Sequence, residues 1–337
     1  MKVLFVGQPY SESSVWSQIQ INALRRLGYE VIVFDERLSY LPGLRRLPLR
    51  LSRALKRRSS VLQAADMAAM NRALLTVARQ MHPDLLLASK AMGVTIETVQ
   101  QLCQLGVVTA NWFPDDLQHF DWISRAVNVY THFFSFDTYT VSLLRNKSAR
   151  NVYYLPLACD PALHRTVVLS DEERACYTCE VAFVGAPYPE RAEALQALSG
   201  FDLKIWGYDG WRQTDLSRFY QGIIDNGEPL VRLYNACRVA VNIHWKSAAH
   251  GANYRTFEIA GSGAFQIADA RADIPQLFEP DREIVLFDGP DDLKEKVNYY
   301  LRHEDERRAI ARAGQARAYR DHTIYQRMQQ LLEIAGF

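Results

Sequence analysis

Short apolar runs alternate with amphipathic stretches from the start of the chain. Residues 3–6 (VLFV) run into Gly7, and after a polar loop a helical pattern passes through Ile19, Ala23, Leu24 and Leu27. Gly28 stops that helix, because a residue without a Cβ enters the left-handed region at little cost, and YEVIVF (29–34) supplies the next strand. DLLLAS (84–89), VVTANW (107–112), YTHFFSF (130–136) and NVYYLPL (151–157) predict further strands, with helical segments between most of them. Strands that are apolar throughout, alternating with helices, indicate a parallel sheet covered on both faces.

The order then restarts. EVAFVG (180–185) reads like the opening VLFVG and is followed by a predicted helix over 190–198 and the strand FDLKIWG (201–207). RVAVNI (238–243), AFQIA (264–268) and EIVLF (283–287) add strands, and the stretch 158–178 between the halves lacks clear periodicity. These patterns predict an α/β protein with two Rossmann-like, doubly wound parallel-sheet domains facing a central cleft. The N-terminal domain is read as 1–165 and the C-terminal domain as 166–320, with a closing helix at 321–337 that can pack back on the first. Ligands of open α/β sheets sit at the carboxyl ends of the strands, where a shared crevice would lie.

Composition narrows the chemistry. The chain has 337 residues, 48% of them hydrophobic, and its 39 Lys plus Arg against 38 Asp plus Glu give no overall attraction to nucleic acid. The opening MKVLFVG lacks the longer apolar region of a signal peptide and no run of eighteen apolar residues occurs, so a soluble, cytoplasmic protein is expected. Five cysteines make no disulfide framework. Cys176 and Cys179 form one CxxC without a second pair of ligands, and no metal is expected. Gly7 is followed by QPYSES and Gly185 by APYPER; neither is GxGxxG, which argues against a dinucleotide cofactor.

The densest chemistry lies in NYRTFEIAGSGAFQI (253–267), where Asn253, Arg255 and Glu258 open a predicted helix over 254–261. Its first turn exposes backbone N–H groups with partial positive charge, suited to a phosphate, and Arg255 can add charge-assisted bonds to a diphosphate. Glu258 follows three residues later, about 4.5 Å along the axis and on nearly the same face, where its carboxylate can accept from two neighbouring hydroxyls. A ribose joined to a diphosphate presents those groups in that order. The competing reading is an i,i+3 ion pair on a solvated helix face, worth a few tenths of a kcal/mol.

FVGAPYPER (183–191), LVRLYNACRVAVNIH (230–244), NYRTFEIAGSGAFQI (253–267) and NYYLRHEDERRAIARAGQARAYRDHT (298–323) together give the second half a resemblance to the CgeB-type (spore maturation protein) glycosyltransferases, relatives of the large GT-B families. The resemblance implies a GT-B-like fold and a nucleoside-diphosphate sugar as donor, with Glu258 on the donor ribose. Arg191, after the glycine turn at Gly185, is then a second ligand of the diphosphate. Tyr208 and Trp211 lie where donors of this fold meet their base. With Arg255, Arg191 and the helix N-terminus stabilising the leaving diphosphate, no cofactor or metal is obligatory. Many retaining relatives carry an acid eight positions before the ribose carboxylate; here that position is His250, which can contact sugar or phosphate or cap the loop. Inversion and retention both stay open.

The acceptor side falls to the first half. A general base is sought at Asp115 and Asp116 in NWFPDDL, then at Asp137 in FSFD and at Glu12. Asp115 and Asp116 can equally serve as first-turn acids that complement a helix dipole. LRRLPLRLSRALKRR (44–58) holds seven basic groups and no acid, with Leu44, Leu47, Leu51 and Leu55 at helical spacing and Pro48 interrupting. It reads either as an exposed helix seated by its leucines or as a peripheral contact with an anionic inner membrane face or an acidic acceptor. The expected function is transfer of a sugar from a nucleotide sugar to an unidentified glycan, protein or small molecule. Alternatives are a nucleotide-sugar epimerase of the same fold and a catalytically inactive binding or assembly protein.

Overall fold

The computed structural model describes residues 1–9, 15–115, 117–247 and 249–337, with the side chain of Leu49 outside the description. The chain forms two compact units: an N-terminal unit of Met1–Phe136, Thr140–Leu155 and Met328–Phe337, and a C-terminal unit of Asp137–Tyr139 and Pro156–Arg327.

In the N-terminal unit the strands are β1 (Lys2–Gly7), β2 (Glu30–Asp35), β3 (Leu85–Ser89), β4 (Val108–Phe113), β5 (His132–Ser135) and β6 (Val152–Tyr154). They pair in parallel in the order β2-β1-β3-β4-β5-β6, so the winding reverses between β1 and β3. The core strands β1 and β3 are buried on both faces, as their unbroken apolar runs require. Leu4, Val6, Leu86 and Ala88 pack in one cluster with Met70, Leu74 and Ala78 of helix Ser60–Met81 and Leu102 of helix Ile96–Gln104. Side-chain caps fix where those helices begin: Ser59 Oγ accepts from Leu62 N and Thr95 Oγ1 from Thr98 N, both at 3.3 Å. Gly28 has φ +89° and follows helix Val15–Arg26, as its lack of a Cβ predicts. Pro48 separates helix Pro42–Arg45 from helix Leu49–Arg58. β6 is shorter than its apolar run because Pro156 has no N–H to extend the ladder.

In the C-terminal unit the strands are β7 (Cys179–Gly185), β8 (Leu203–Gly207), β9 (Tyr220–Gly222), β10 (Cys237–Asn242), β11 (Gln266–Asp269) and β12 (Val285–Phe287). Their order, β12-β11-β10-β7-β8-β9, is again all parallel, with the switch point between β7 and β10. Edge strand β9 has three residues, too few for any periodicity, and the sequence does not announce it. In the aperiodic stretch between the halves lies helix Asp171–Tyr177, opened by a capping box of Ser170 and Glu173. The closing segment is helical throughout, as Gly289–Arg302, Glu304–Asp321 and Ile324–Ala335.

Two glycines bring the carboxyl ends of β7 and β8 together. Gly207 has φ +135°, and a Cβ there would lie 2.3 Å from Gly185 O. That same carbonyl accepts a 2.8 Å hydrogen bond from Trp211 Nε1, whose fully buried ring packs edge-on against Phe183. Trp211 is therefore a core anchor of this corner. Among the described residues no helix is long and apolar enough to cross a membrane, and all five cysteines are free.

Candidate functional site at the switch point of the C-terminal sheet

Arg191 spans the β7/β10 switch point. Its Nε donates to Ile243 O, just past β10, at 3.0 Å, and its Nη1 donates to Ala186 O, just past β7, at 3.3 Å. The guanidinium also lies 4.9 Å from the centre of the Tyr188 ring. Burial pushes its pKa below the ordinary arginine value, an effect opposed by Tyr188, Glu190 and Asp269. Nη2 has no protein partner among the described residues, so a doubly anchored cation keeps free donors at the strand ends. Gly185 is needed there: a Cβ would lie 3.1 Å from Arg191 Nη1 and 2.9 Å from the Phe183 ring.

Helix Tyr254–Gly261 begins at the same edge, and a small polar network fixes its first turn. Asn253 Oδ1 accepts from Thr256 N at 3.1 Å, and the Asn253 amide group donates to Asn242 Oδ1 at 2.9 Å. Asn242 Nδ2 in turn donates to Thr256 Oγ1 at 3.0 Å and Gln266 Oε1 at 3.1 Å. Asn242 ends β10 and Gln266 begins β11, so two polar residues inside apolar strands bolt the helix to the sheet. Asn253 is thereby engaged as an N-cap.

Arg255 and Glu258 do pair at i,i+3, with Arg255 Nη1 2.6 Å from Glu258 Oε2. The face is not solvated: the Glu258 side chain is 0% exposed and that of Arg255 24%. Arg255 Nη2 donates to Asn226 Oδ1 at 2.6 Å, so both ends of the guanidinium fork are occupied. Burial opposes the charge on each partner, yet the pair keeps it: Arg255 is held above the ordinary arginine value and Glu258 below the ordinary glutamate value. Glu258 Oε1 has no hydrogen-bond partner. It lies 3.6 Å from Nε2 of His164, a nitrogen that is itself buried and unpartnered. Asp160 N donates to His164 Nδ1 at 2.9 Å, so Nδ1 is an acceptor and Nε2 is the nitrogen that can present a hydrogen towards Glu258. A charged oxygen without a donor in a dry site is costly, by about 1–3 kcal/mol or more.

The neighbouring strand ends carry further polar groups. His244, fully buried, bonds through Nδ1 to Asp269 Oδ1 at 2.6 Å, while Asp269 Oδ2 accepts from Arg271 Nη2 at 2.7 Å. His250 Nδ1 lies 3.1 Å from Thr138 Oγ1, which donates to Asp273 Oδ1 at 2.5 Å. Asp137 Oδ2 accepts from the amides of His250 and Gly251, both at 3.0 Å, and is spent on holding that loop. Tyr208, just past β8, is 68% exposed.

In the N-terminal unit Asp115 forms an ion pair with Lys90 and lies 3.7 Å from His119 Nε2. Asp116 and Glu12 lie outside the described residues. The sequence reading passed over Glu36, just past β2, whose Oε1 accepts from Gln8 Nε2 at 3.2 Å and Oε2 from Gly93 N at 3.3 Å. Burial holds its pKa above the ordinary value. His164, Asn226 and the His244–Asp269 pair also went unnoticed, each being a single polar residue in a loop or at a strand end. Asn242 and Gln266 did leave a signal, as polar interruptions of the runs RVAVNI and AFQIA. No group of three or more His, Cys, Asp or Glu side chains suited to a metal ion occurs among the described residues.

Residues 191–333, from the spanning arginine through the closing helices, match the family model described as glycosyl transferase-like. Over its whole length the fold is similar to that of sucrose-phosphate synthase from Thermosynechococcus elongatus, with a TM-score of 0.75 at 13% identity, covering 99% of this chain and 98% of that one. It is also similar to Anabaena HepE in complex with UDP-glucose, with a TM-score of 0.68 at 14% identity and the same coverage. The fold is therefore of the GT-B type, and the stretch 191–333 within it is glycosyl transferase-like. The chain is also similar to the spore protein CgeB of Bacillus subtilis (strain 168), with which it is 25% identical over 224 residues, 60% of this chain and 67% of the relative.

Proposed function

We propose that this glycosyltransferase takes a nucleoside-diphosphate sugar at the β7/β10 edge and passes its sugar to an acceptor bound by the N-terminal unit. The observation that carries the reading is the buried, ionised Glu258, one turn along a helix from Arg255, whose Oε1 makes no hydrogen bond and meets only His164 Nε2 at 3.6 Å. Ribose hydroxyls are donors of the required kind. Because Arg255 Nη1 holds Glu258 Oε2 at 2.6 Å, binding on this reading moves Arg255 to the diphosphate and leaves both carboxylate oxygens for the ribose. Arg191, with Nη2 free, meets the diphosphate from the other side. Developing charge on the leaving phosphate is then stabilised by the anchored Arg191 and the relocated Arg255 in a low-dielectric site. The amide N–H groups after Gly185, the first turn behind Asn253, and exposed Tyr208 complete the donor contacts. His250 faces the sugar or phosphate, and Asp115, with Asp116 beside it in sequence, serves as the acceptor's base.

The similar Anabaena HepE is seen in complex with UDP-glucose, which makes UDP the first probe. Calorimetric titration with UDP, GDP and dTDP is expected to give one-to-one binding for at least one of them, without added metal. If none binds, the donor reading falls. Incubation of the matching nucleotide sugar then separates the alternatives: conversion to an isomeric sugar identifies an epimerase, and no turnover with any acceptor identifies a binding protein.

We also propose that residues 44–58 touch an anionic membrane surface. Leu44 is buried, but Leu51 and Leu55 are 48% and 37% exposed on a helix bearing Arg50, Arg57 and Arg58, so these leucines do not seat it. Co-sedimentation with phosphatidylglycerol vesicles is expected, with loss in Leu51→Ser/Leu55→Ser. Equal pelleting of that variant removes the membrane contact.

A further inference from the structure

Two cavities of the N-terminal unit share a wall. The first, of about 310 Å³, is mostly apolar and is lined by Met92, Val94, Val99, Trp122, Val129 and Tyr130. The second, of about 340 Å³, is lined by Glu36, Arg53, Lys56, Arg57, Asp66 and Gly93. Either volume suits a small ligand. Met67 lines both, and Gly93 of the second cavity stands in the chain between Met92 and Val94 of the first. Asn71 fixes the backbone of this wall: its Nδ2 donates to Met67 O at 2.8 Å and to Gly93 O at 3.0 Å, and its Oδ1 accepts from Thr95 N at 3.0 Å. Gly93 lets the segment lie so close, because a Cβ there would stand 3.3 Å from both Met70 Cε and Glu36 Oε2. The Met67 side chain, 43% exposed, is unbranched and turns about three bonds, so the partition can move at that point.

The two chambers differ in chemistry. In the second the acids are engaged: Asp66 accepts from Lys56 Nζ at 2.7 Å, from Ser39 Oγ and from the amides of Tyr40 and Leu41, and Glu36 accepts from Gln8 Nε2 and Gly93 N. Arg53 and Arg57 line the same cavity and make no hydrogen bond or ion pair among the described residues, and Arg53 Nη2 is shut off from solvent as well. A buried donor without an acceptor raises the energy of the empty protein, and an anionic oxygen relieves it. The first chamber offers chiefly carbon. Trp122, stacked 5.3 Å from Phe113, is half-buried, as are Met92, Ile96 and Val129, so each keeps apolar surface in contact with water that a ligand would cover.

We propose that the two chambers together bind one lipid molecule, with its phosphate headgroup at Arg53 and Arg57 and its chain past Met67 in the chamber of Met92 and Trp122. Charge complementarity selects the headgroup, since phosphate oxygens accept from a guanidinium fork. An anion alone leaves the apolar chamber wet, and a neutral lipid leaves Arg53 without an acceptor. That this lipid is the acceptor of the sugar rests on the reading of the N-terminal unit as the acceptor side; the binding stands on the cavities alone. It is also separate from the membrane contact of residues 44–58, because Leu51 and Leu55 line neither cavity.

The test is calorimetric titration of the full chain with butyl, hexyl and octyl phosphate, each kept below its micelle concentration. Wild type is expected to bind one molecule, with affinity rising about two- to fourfold for each added methylene. Inorganic phosphate and octanol should each bind at least about tenfold more weakly than octyl phosphate. Arg53→Gln should weaken octyl phosphate by about tenfold, the loss of one charge-assisted bond, and leave octanol unchanged. Arg58→Gln, the same charge change on the same helix but outside both cavities, should change it by less than about twofold. Ile96→Asp places a carboxylate in the apolar chamber at the first position of helix Ile96–Gln104, where the helix dipole tolerates it, and should flatten the chain-length series. Absence of octyl phosphate binding, a flat series in wild type, or equal weakening in Arg53→Gln and Arg58→Gln overturns the proposal. Should Ile96→Asp unfold early, Val129→Gln must flatten the series in its place, and a series as steep as that of wild type overturns the proposal as well.

Leu51→Ser/Leu55→Ser should bind octyl phosphate within about twofold of wild type; a larger loss would mean that the helix surface and not the cavities takes the lipid, and would overturn the proposal. Titrating UDP into the same proteins separates this inference from the donor reading. UDP affinity is expected to be unaltered in Arg53→Gln and Ile96→Asp. Octyl phosphate binding without UDP binding leaves the lipid site standing and removes the donor reading; the reverse removes the lipid site alone.

Discussion

Glu258→Gln is expected to abolish nucleotide binding and to lower unfolding stability by about 3–5 kcal/mol, the range for removing one partner of a buried ion pair. The shape of the side chain is preserved, so the loss comes from charge. Arg255, three-quarters buried, would keep its positive charge beside a neutral amide, and His164 Nε2 would still face an oxygen at a non-bonding distance. Urea unfolding reads the stability change, and UDP calorimetry on protein still folded reads the binding change. The double variant Arg255→Gln/Glu258→Gln should recover part of the stability, because it leaves no lone charge, but none of the binding. The pH sign follows from the lowered Glu258 pKa. Its contribution is fully present above the unfolded glutamate value of about 4.3, and is lost only as pH falls below that, through the folded value. If Glu258→Gln loses stability but binds UDP as wild type does, the carboxylate is structural and the ribose assignment is wrong.

The buried pairing of this residue explains what sequence reasoning reached and what it missed. Apolar runs such as VLFV and EVAFVG predict buried parallel strands because no polar side chain fits between two helical layers. Gly28 and Pro48 punctuate helices for equally local reasons. The segment 253–258 was recognisable because a guanidinium and a carboxylate one turn apart at a helix start have few uses. The spacing also predicts the i,i+3 ion pair that forms; it does not reveal that the pair is buried rather than solvated. That depends on Asn226 and His164, which approach from loops far away in sequence and carry no pattern of their own.

The second large effect concerns pH. His322, 4% exposed, is held neutral by two bonds that leave no place for another proton: Nε2 donates to Leu277 O at 2.7 Å, and Nδ1 accepts from Arg327 Nη2 at 2.7 Å. Burial is the main cause that lowers its pKa to about 4; the charges of Arg327 and Arg317 add to it, and the Leu277 carbonyl and Asp321 oppose it. A folded value below the unfolded value of about 6.5 means that acid protonates the unfolded chain first. Stability is therefore expected to be full above about pH 6.5 and to fall between there and about pH 4, by about 2 kcal/mol at pH 5 and about 3 kcal/mol in all. In His322→Gln the amide can still donate to Leu277 and accept from Arg327 but cannot titrate. Urea unfolding at pH 7.5 and pH 5 should accordingly show about 2 kcal/mol less acid loss in the variant than in wild type. Identical acid losses would mean that the ring is not the titrating group. The effect bears on the donor site because the His322 ring packs 5.7 Å from Phe257, the residue before Glu258. Charging that ring pushes on the helix that carries Glu258, the proposed ribose ligand, so nucleotide affinity should fall over the same pH interval in wild type and hold steadier in His322→Gln.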